Sequence, residues 1–359
     1  MTSPRMVTMS DVAQHAGVSR PTVSHVLNGR TEGVFVSEQT RNRVLEAAQI
    51  LGYQANGAAK AMKSGNFGSV ALLLSNRPNH STLPAQVLNG IHDELARHDL
   101  HLSLFCLPDE QLTDAQQMPK ILRQWMADGM IVDYTHDIPS RLFELIEGHK
   151  LPVVWFNVDR QWDTVRPDDY EAGRRAARHL LEQGHTRIAF LNHSHDRRFL
   201  EGAEAPEHYS GRARFRGVAD EMALAGLAPI LEARRPDDDA DIIARESVGR
   251  IREMLRREKP TAVVCYSTLN PTLLAARDLG LEVPRDLSLV QFGAPEICFL
   301  GLRESVPRPT TGFSPCEYAM GRELVQMLLR KIADPTTKIP ARTLAFEFQE
   351  GATTAPVSR

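Results

Sequence analysis

Residues 10–30 read SDVAQHAGVSRPTVSHVLNGR. Two short pieces with apolar residues at helical spacing meet at Gly17 and Val18, and Arg20, Pro21, Thr22 and His25 lie off the apolar stripe. Thr8 is positioned to cap the first helix, whose Val12, Ala13 and Ala16 fall on one side. Gly17 ends it, because glycine accepts the left-handed conformation that a tight helix-to-helix turn needs. Ser19 then caps a second helix, in which Pro21 is tolerated in the first turn and Val23, Val26 and Leu27 face inward. The pattern is helix, four-residue turn, helix.

A third helix is expected from the Ser37 cap to Gly52, with Val44, Leu45, Ala48 and Leu51 as its inward stripe. These three helices predict a module over residues 1–53. NGAAKAMKSG at 56–65 is a fourth helix candidate too short to hold alone in water, so 54–66 reads as a hinge helix or linker.

Charge divides the same way. Residues 1–65 carry seven Lys and Arg against four Asp and Glu, a net of +3, while the remainder carries 35 against 41, a net of −6. A small basic head on an acidic body suits a module that touches phosphates, carried by one that does not. The four cysteines Cys106, Cys265, Cys298 and Cys316 form no CxxC pair, so neither a zinc site nor a disulfide framework is signalled. The N-terminus has no charged-then-apolar leader, and no apolar run approaches the roughly 20 residues that span a bilayer; a cytoplasmic protein without membrane contact is expected.

From Phe67 onward short apolar runs alternate with amphipathic segments. SVALLLS, LHLSLFCL, GMIVD and LPVVWFNV are separated by helices near 83–98, 115–127 and 140–148. A second set follows, with helices near 170–183, 209–225, 241–258 and 271–279 between TRIAFLN, a weak strand near 229–231, TAVVCYS and LSLVQFG. Strand and helix alternating in this way predict parallel sheets covered on both faces, and two sets predict two lobes.

DVAQHAGVSRPTVSHVLNG, VSEQTRNRV, LGY and Asn56 with Ala59 closely resemble the head of the lactose-repressor (LacI/GalR) family of bacterial transcription regulators. The likeness continues through VRPDDYEAGRRAARHLLEQGHTRIAFL, YSGRARFRG, LGLEVPRDLSLVQF and RPTTGFSPCEYAMG. The resemblance implies an α+α/β chain: a helix-turn-helix three-helix domain, then a two-lobed, doubly wound effector domain like a type I periplasmic binding protein over 67–359. Its lobes are expected at about 67–164 with 293–322 and about 165–292 with 323–352. A repressor modulated by a small molecule is implied; a cytoplasmic solute-binding protein or a cleft enzyme on the same fold is the alternative.

In such a head the second helix lies in the major groove, where each base pair shows a distinct donor and acceptor pattern. Arg20, Pro21 and His25 are expected to choose sequence, and Ser19, Thr22, Ser24, Asn28 and Tyr53 to hold phosphates and register. By resemblance Asn56, Lys60 and Met62 belong to a hinge helix that forms on the operator, with Met62 as the minor-groove wedge where the family has leucine. One such head makes few contacts, so a two-fold homodimer on near-palindromic double-stranded DNA is expected; the tail GATTAPVSR has no heptads for a tetramer.

The ligand cleft of this fold lies at the carboxyl ends of the strands. Family correspondence brings Asn76, Ser81, Pro84, Asn157, Arg214, Ser267 and Phe292 there, with a carbohydrate as the expected effector and no cofactor. Arg214 can bridge hydroxyls or clamp a carboxylate, or instead pair with Asp168 or Asp169. The chain departs from the family at Ser267–Thr268, where an Asn-Asp pair is common, and at Gly293, where an aspartate is. Trp155 stands inside an apolar run and reads as core before sugar platform. The sequence contains no GxGxxG after a strand, Walker loop, GxSxG or HExxH, and HSH at 193–195 has no third spaced ligand, so neither a catalytic nor a metal site is expected.

Overall fold

The computed structural model describes residues 7–27, 36–53, 67–77, 80–107, 127–136, 138–205, 207–235, 238, 240–293 and 309–357. It divides into a unit at Met1–Phe67 and a unit at Gly68–Arg359.

The first unit contains α1 (Met9–Ala16), α2 (Arg20–Leu27) and α3 (Glu38–Leu51). Thr8 closes α1 reciprocally: its hydroxyl accepts from the Asp11 amide while the Asp11 carboxylate accepts from the Thr8 amide. Gly17 stands at φ +62°, the left-handed conformation that lets the chain turn without strain. Ser19 and Thr22 hydroxyls lie 2.8 Å apart at the start of α2, and the Thr22 amide donates to Ser19 Oγ. Val12, Ala13, Ala16, Val23, Val26, Val44, Ala47 and Ala48 form one buried cluster. Leu45, expected in that stripe, is instead 47% exposed, and Ala47 takes its place; on α3 the inward face runs through 44, 47, 48 and 51.

The second unit holds two six-stranded sheets. The first is built from β1 (Ser69–Ser75), α4 (Ala85–Arg97), β2 (His101–Leu107), β3 (Gly129–Asp133), α5 (Ser140–Gly148), β4 (Val153–Phe156) and β5 (Thr164–Pro167). The second is built from α6 (Asp169–Glu182), β6 (Ile188–Asp196), α7 (Arg197–Leu200), α8 (Tyr209–Leu224), β7 (Ile230–Arg234), α9 (Ala240–Glu258), β8 (Ala262–Tyr266), α10 (Leu269–Asp278), β9 (Ser288–Phe292) and β10 (Gly312–Pro315). The chain then returns through α11 (Glu317–Ala333) to β11 (Arg342–Leu344) in the first sheet and ends in β12 (Phe346–Gln349) of the second. Strand orders are β11-β5-β4-β3-β1-β2 and β12-β10-β9-β8-β6-β7, parallel throughout except for the β10–β12 pair.

This topology corrects the expected lobe boundaries. β10 hydrogen-bonds β9, so it belongs to the second lobe, while α11 buries Met320, Leu324, Val325 and Leu328 in the core of the first. The chain therefore changes lobe three times, near 168, 316 and 345, and the crossings touch: the Asp168 amide donates to the Leu344 carbonyl at 2.8 Å and Cys316 Sγ to the Ala345 carbonyl at 3.1 Å. The helix expected near 115–127 and the hinge helix at 56–65 lie outside the described residues, apart from Ala127.

The two lobes repeat one helix-packing device. YEAGR at 170–174 on α6 meets GVADE at 217–221 on α8, and YAMGR at 318–322 on α11 meets GIHDE at 90–94 on α4. In each pair the glycines let backbones touch: a Cβ on Gly217 would collide with the Tyr170 carbonyl, and one on Gly90 with that of Tyr318. Each tyrosine hydroxyl donates to the facing aspartate, Tyr170 to Asp220 at 2.8 Å and Tyr318 to Asp93 at 2.9 Å. Each buried glutamate accepts from the facing arginine, Arg174 to Glu221 and Arg322 to Glu94, both at 2.8 Å.

Candidate functional site: the recognition helix and the interlobe cleft

On the head, Ser19, Arg20 and Pro21 are exposed at the start of α2, while Thr22, Ser24 and His25 are half-buried. Val23 and Val26 point into the cluster, so the helix offers the outward face that the sequence predicts. Tyr53 packs half-buried against the same cluster just beyond the Gly52 cap, which ties it to the core. Asn28, Asn56, Lys60 and Met62 lie outside the described residues.

In the second unit a cleft of about 710 Å³ opens between the lobes at the carboxyl ends of the strands. Pro84, Asn157, Arg214 and Ser267 line it, as expected. Phe292 does not reach the surface. It forms a floor beneath Arg214, whose guanidinium carbon stands 4.7 Å from its ring centroid, 4.7 Å from Tyr266 and 5.2 Å from Phe346. Asn76 is exposed and outside the cleft. Ser81 is spent on backbone: its hydroxyl accepts from the Ser75 amide and donates to the Asp133 carbonyl, pinning the loop that carries Thr82 and Pro84 into the wall. Trp155 is core, stacked on Phe143 on the other side of its sheet.

Arg214 donates from Nε to Asp169 Oδ1 at 2.6 Å, in a pair withdrawn from solvent. Arg214 thus lines the cleft while Asp169 orients it. Asp168 caps α6 by accepting from the Glu171 amide at 3.0 Å. Asn157 and Ser267 both sit at the ends of central strands with φ near +56°, a sparsely populated conformation that turns each into the cleft. Gly293 follows β9 at φ +112°, a backbone conformation that glycine adopts easily and an aspartate would not.

The cleft residues missed from sequence are His136, His208, Tyr209 and Tyr266, whereas the sequence places the HSH loop at 193–195 near the cleft. His208 caps α8 in the second lobe; its Nε2–H donates to the carbonyl of Asn157 in the first lobe at 2.9 Å. That fixes its tautomer, leaving Nδ1 to accept from the Ser210 hydroxyl at 2.7 Å, which in turn lies 2.8 Å from the Tyr266 hydroxyl. Tyr209 adds a second cross-lobe bond, donating to Asn157 Oδ1 at 3.0 Å. His195 Nε2–H donates to the His208 carbonyl at 3.1 Å, and the ring of His136 lies 5.5 Å from that of His208.

Burial drives both buried rings toward the neutral form: His208 falls to about 4, helped by His136 and Arg214 and opposed by the Asn157 carbonyl and Asp169. His195 falls to about 3, by burial first and then by the neighbouring His208. Of the HSH triplet, Ser194 and His195 line the cleft from the end of β6, whereas His193 turns away to the Ser247 hydroxyl at 2.7 Å. Among the described residues no group of three or more His, Cys, Asp or Glu is placed to hold a metal ion, and no helix is long and apolar enough to cross a membrane.

A helix-turn-helix head joined to a two-lobed, cleft-bearing α/β domain defines a DNA-binding transcription regulator of the periplasmic-binding-protein-like type. Residues 8–56 match the model of bacterial regulatory proteins of the lacI family, and residues 177–354 match the periplasmic binding protein-like domain. The chain is 27% identical over 335 residues to the HTH-type transcriptional repressor PurR of Aliivibrio fischeri, covering 92% of this chain and 93% of that one. PurR of Vibrio atlanticus is 28% identical with the same coverage. The lac repressor dimer bound to operator and the anti-inducer ONPF superposes with a TM-score of 0.76 at 22% identity, covering 98% of this chain and all of that one. The regulator CelR in complex with cellobiose gives 0.59 at 23%, covering 97% and 99%. The chain belongs to the LacI/GalR family.

Proposed function

We propose that this protein is a transcriptional repressor whose grip on a near-palindromic operator is set by a small molecule held between its lobes. The observation that carries the reading is the cleft itself: Asn157 from one lobe is bonded to His208 and Tyr209 from the other beside an oriented arginine. A molecule that binds there makes unequal contacts with the open and closed arrangements, and only such a difference can shift the balance between them. Arg214, the Ser210–Tyr266 hydroxyl pair and Ser267 offer donors and acceptors suited to hydroxyl groups, and CelR is a relative in fold that holds cellobiose. A sugar or sugar derivative is therefore the proposed effector class.

Arg20, Pro21 and His25 are proposed to choose the operator sequence, and Ser19, Thr22 and Ser24 to hold its phosphates. Two heads on a homodimer supply the affinity that one small head lacks.

The test is a thermal-shift screen of sugars, sugar acids and nucleosides, followed by operator binding with each hit. A ligand at about 100 times its Kd stabilises by about 2.7 kcal/mol. A hit that shifts the melting temperature and changes operator affinity supports the reading; hits that leave operator affinity untouched overturn the coupling.

A further inference from the structure

At the other end of the first sheet from the cleft lies a second cavity, of about 430 Å³, at the amino ends of β4 and β5. Its floor is aromatic. Trp155 is 3% exposed and stacks on Phe143 with centroids 4.8 Å apart, and Trp162 stands 42% exposed at the rim. Arg160 lies across both floor rings, its guanidinium carbon 4.8 Å from Phe143 and 5.2 Å from Trp155. Arg160 Nε is buried without an acceptor among the described residues, an unusual state for so strong a donor.

The charges around it are unbalanced. Lys331, 6% exposed, is satisfied by Asp163 at 3.2 Å and by the Thr337 carbonyl at 2.7 Å, so that pair forms a neutral wall. What remains is Lys150, Arg160 and Lys338 facing Glu147, with no ion pair formed by the three cations among the described residues. A cavity that places a stacked guanidinium and two rim ammoniums around exposed indole complements a flat ring carrying negative charge. The ring covers Trp162, and the anion offsets the charge that the Arg160 guanidinium, Lys150 and Lys338 bring to the cavity.

We infer that this cavity is a second ligand site, separate from the interlobe cleft, which binds a small aromatic anion. The site needs both properties at once. A neutral aromatic leaves the guanidinium unsatisfied, and a bare anion leaves the indole exposed.

The test uses the full-length protein and its own fluorescence, since Trp155 and Trp162 are two of its three tryptophans. Adenosine 5′-monophosphate and benzoate are titrated beside adenosine, benzamide and inorganic phosphate, with calorimetry to confirm binding. Saturable quenching by at least one of the two aromatic anions is expected, with binding weaker by about tenfold for its neutral counterpart, the loss of one charge-assisted contact. Arg160→Met keeps the stem over the rings and removes the charge; it is expected to weaken that binding by about tenfold or more. Lys338→Met, on the exposed rim where folding is not at stake, is expected to weaken it severalfold. No saturable binding by either anion overturns the inference. So does binding that survives Arg160→Met and Lys338→Met unchanged, because the ligand then sits elsewhere; operator and cleft-ligand binding are independent of both outcomes.

Discussion

At the scale of single residues, Arg214 decides how the cleft is organised. Its Nε holds Asp169 Oδ1 while three rings enclose the guanidinium, so the pair is fixed before any ligand arrives. Asp169 Oδ2 has no partner among the described residues, so Arg214 is the group that compensates this buried carboxylate. Removing it in Arg214→Met is expected to cost about 3 kcal/mol in denaturant unfolding, the scale for stranding a buried charge. Adding Asp169→Asn to that variant should restore most of the loss, and a double variant no more stable than the single one would show that the pair is not what matters. In the head, Arg20→Ala is expected to leave the melting temperature within about 1 °C, because an exposed side chain is removed, while specific operator affinity falls by about 1–3 kcal/mol. Equal affinity of the variant in a gel-shift titration would remove Arg20 from base recognition.

At the scale of elements, the periodicity of the head and the alternation of the body were readable because each follows from one face being buried. Capping residues Thr8 and Ser37 and the stops at Gly17 and Gly52 stand where local chemistry puts them. The lobe boundaries were not readable, since the partner of β10 is chosen by hydrogen bonding to β9, and nothing local distinguishes that from pairing in the other sheet. The cleft was half legible. Arg214 and Asn157 are carried by motif, but His208 matters because a hinge brings it against a carbonyl 51 residues away in the chain. The paired motifs YEAGR with GVADE and YAMGR with GIHDE did carry a signal, scattered over some 230 residues, which only packing makes meaningful. They yield a contrast between glycines. Gly217→Ala forces α8 away from the Tyr170 carbonyl and is expected to cost about 3 kcal/mol, whereas Gly249→Ala in α9, with open space around the new methyl, should gain about 0.5–1 kcal/mol. Urea unfolding of both variants checks the pair, and similar effects at the two sites would remove the close-approach account.

At the scale of the whole effector domain, the Asn157–His208 contact that joins the lobes depends on a neutral imidazole and so is expected to couple closure to protons. His208 bridges the lobes in its neutral form, because a proton on Nδ1 would face the Ser210 amide at the positive end of α8. Its affinity for a proton is held down to about 4 by burial, with His136 and Arg214 adding to the effect and the Asn157 carbonyl and Asp169 opposing it. In an unfolded or opened chain the ring regains its ordinary value of about 6.5. The state that binds more protons is then the unfolded or open one, so the stability His208 contributes is complete above pH 6.5 and is lost as pH falls toward 4. His195 acts in the same direction. Asp133 acts in the opposite one: burial raises its carboxyl to about 7, with the Thr82 amide opposing, so it favours the folded state more as pH falls toward 3.8. The difference between the wild type and His208→Gln therefore isolates the latch. Between pH 7 and 4.5 the wild type is expected to lose about 2 kcal/mol more than the variant in unfolding free energy, a part of what a shift of this size allows. Effector affinity, measured by calorimetry over the same range, should fall more steeply for the wild type, since protonation opens the cleft that the effector closes. Parallel pH profiles for the two proteins would mean that the Asn157–His208 contact does not report on closure.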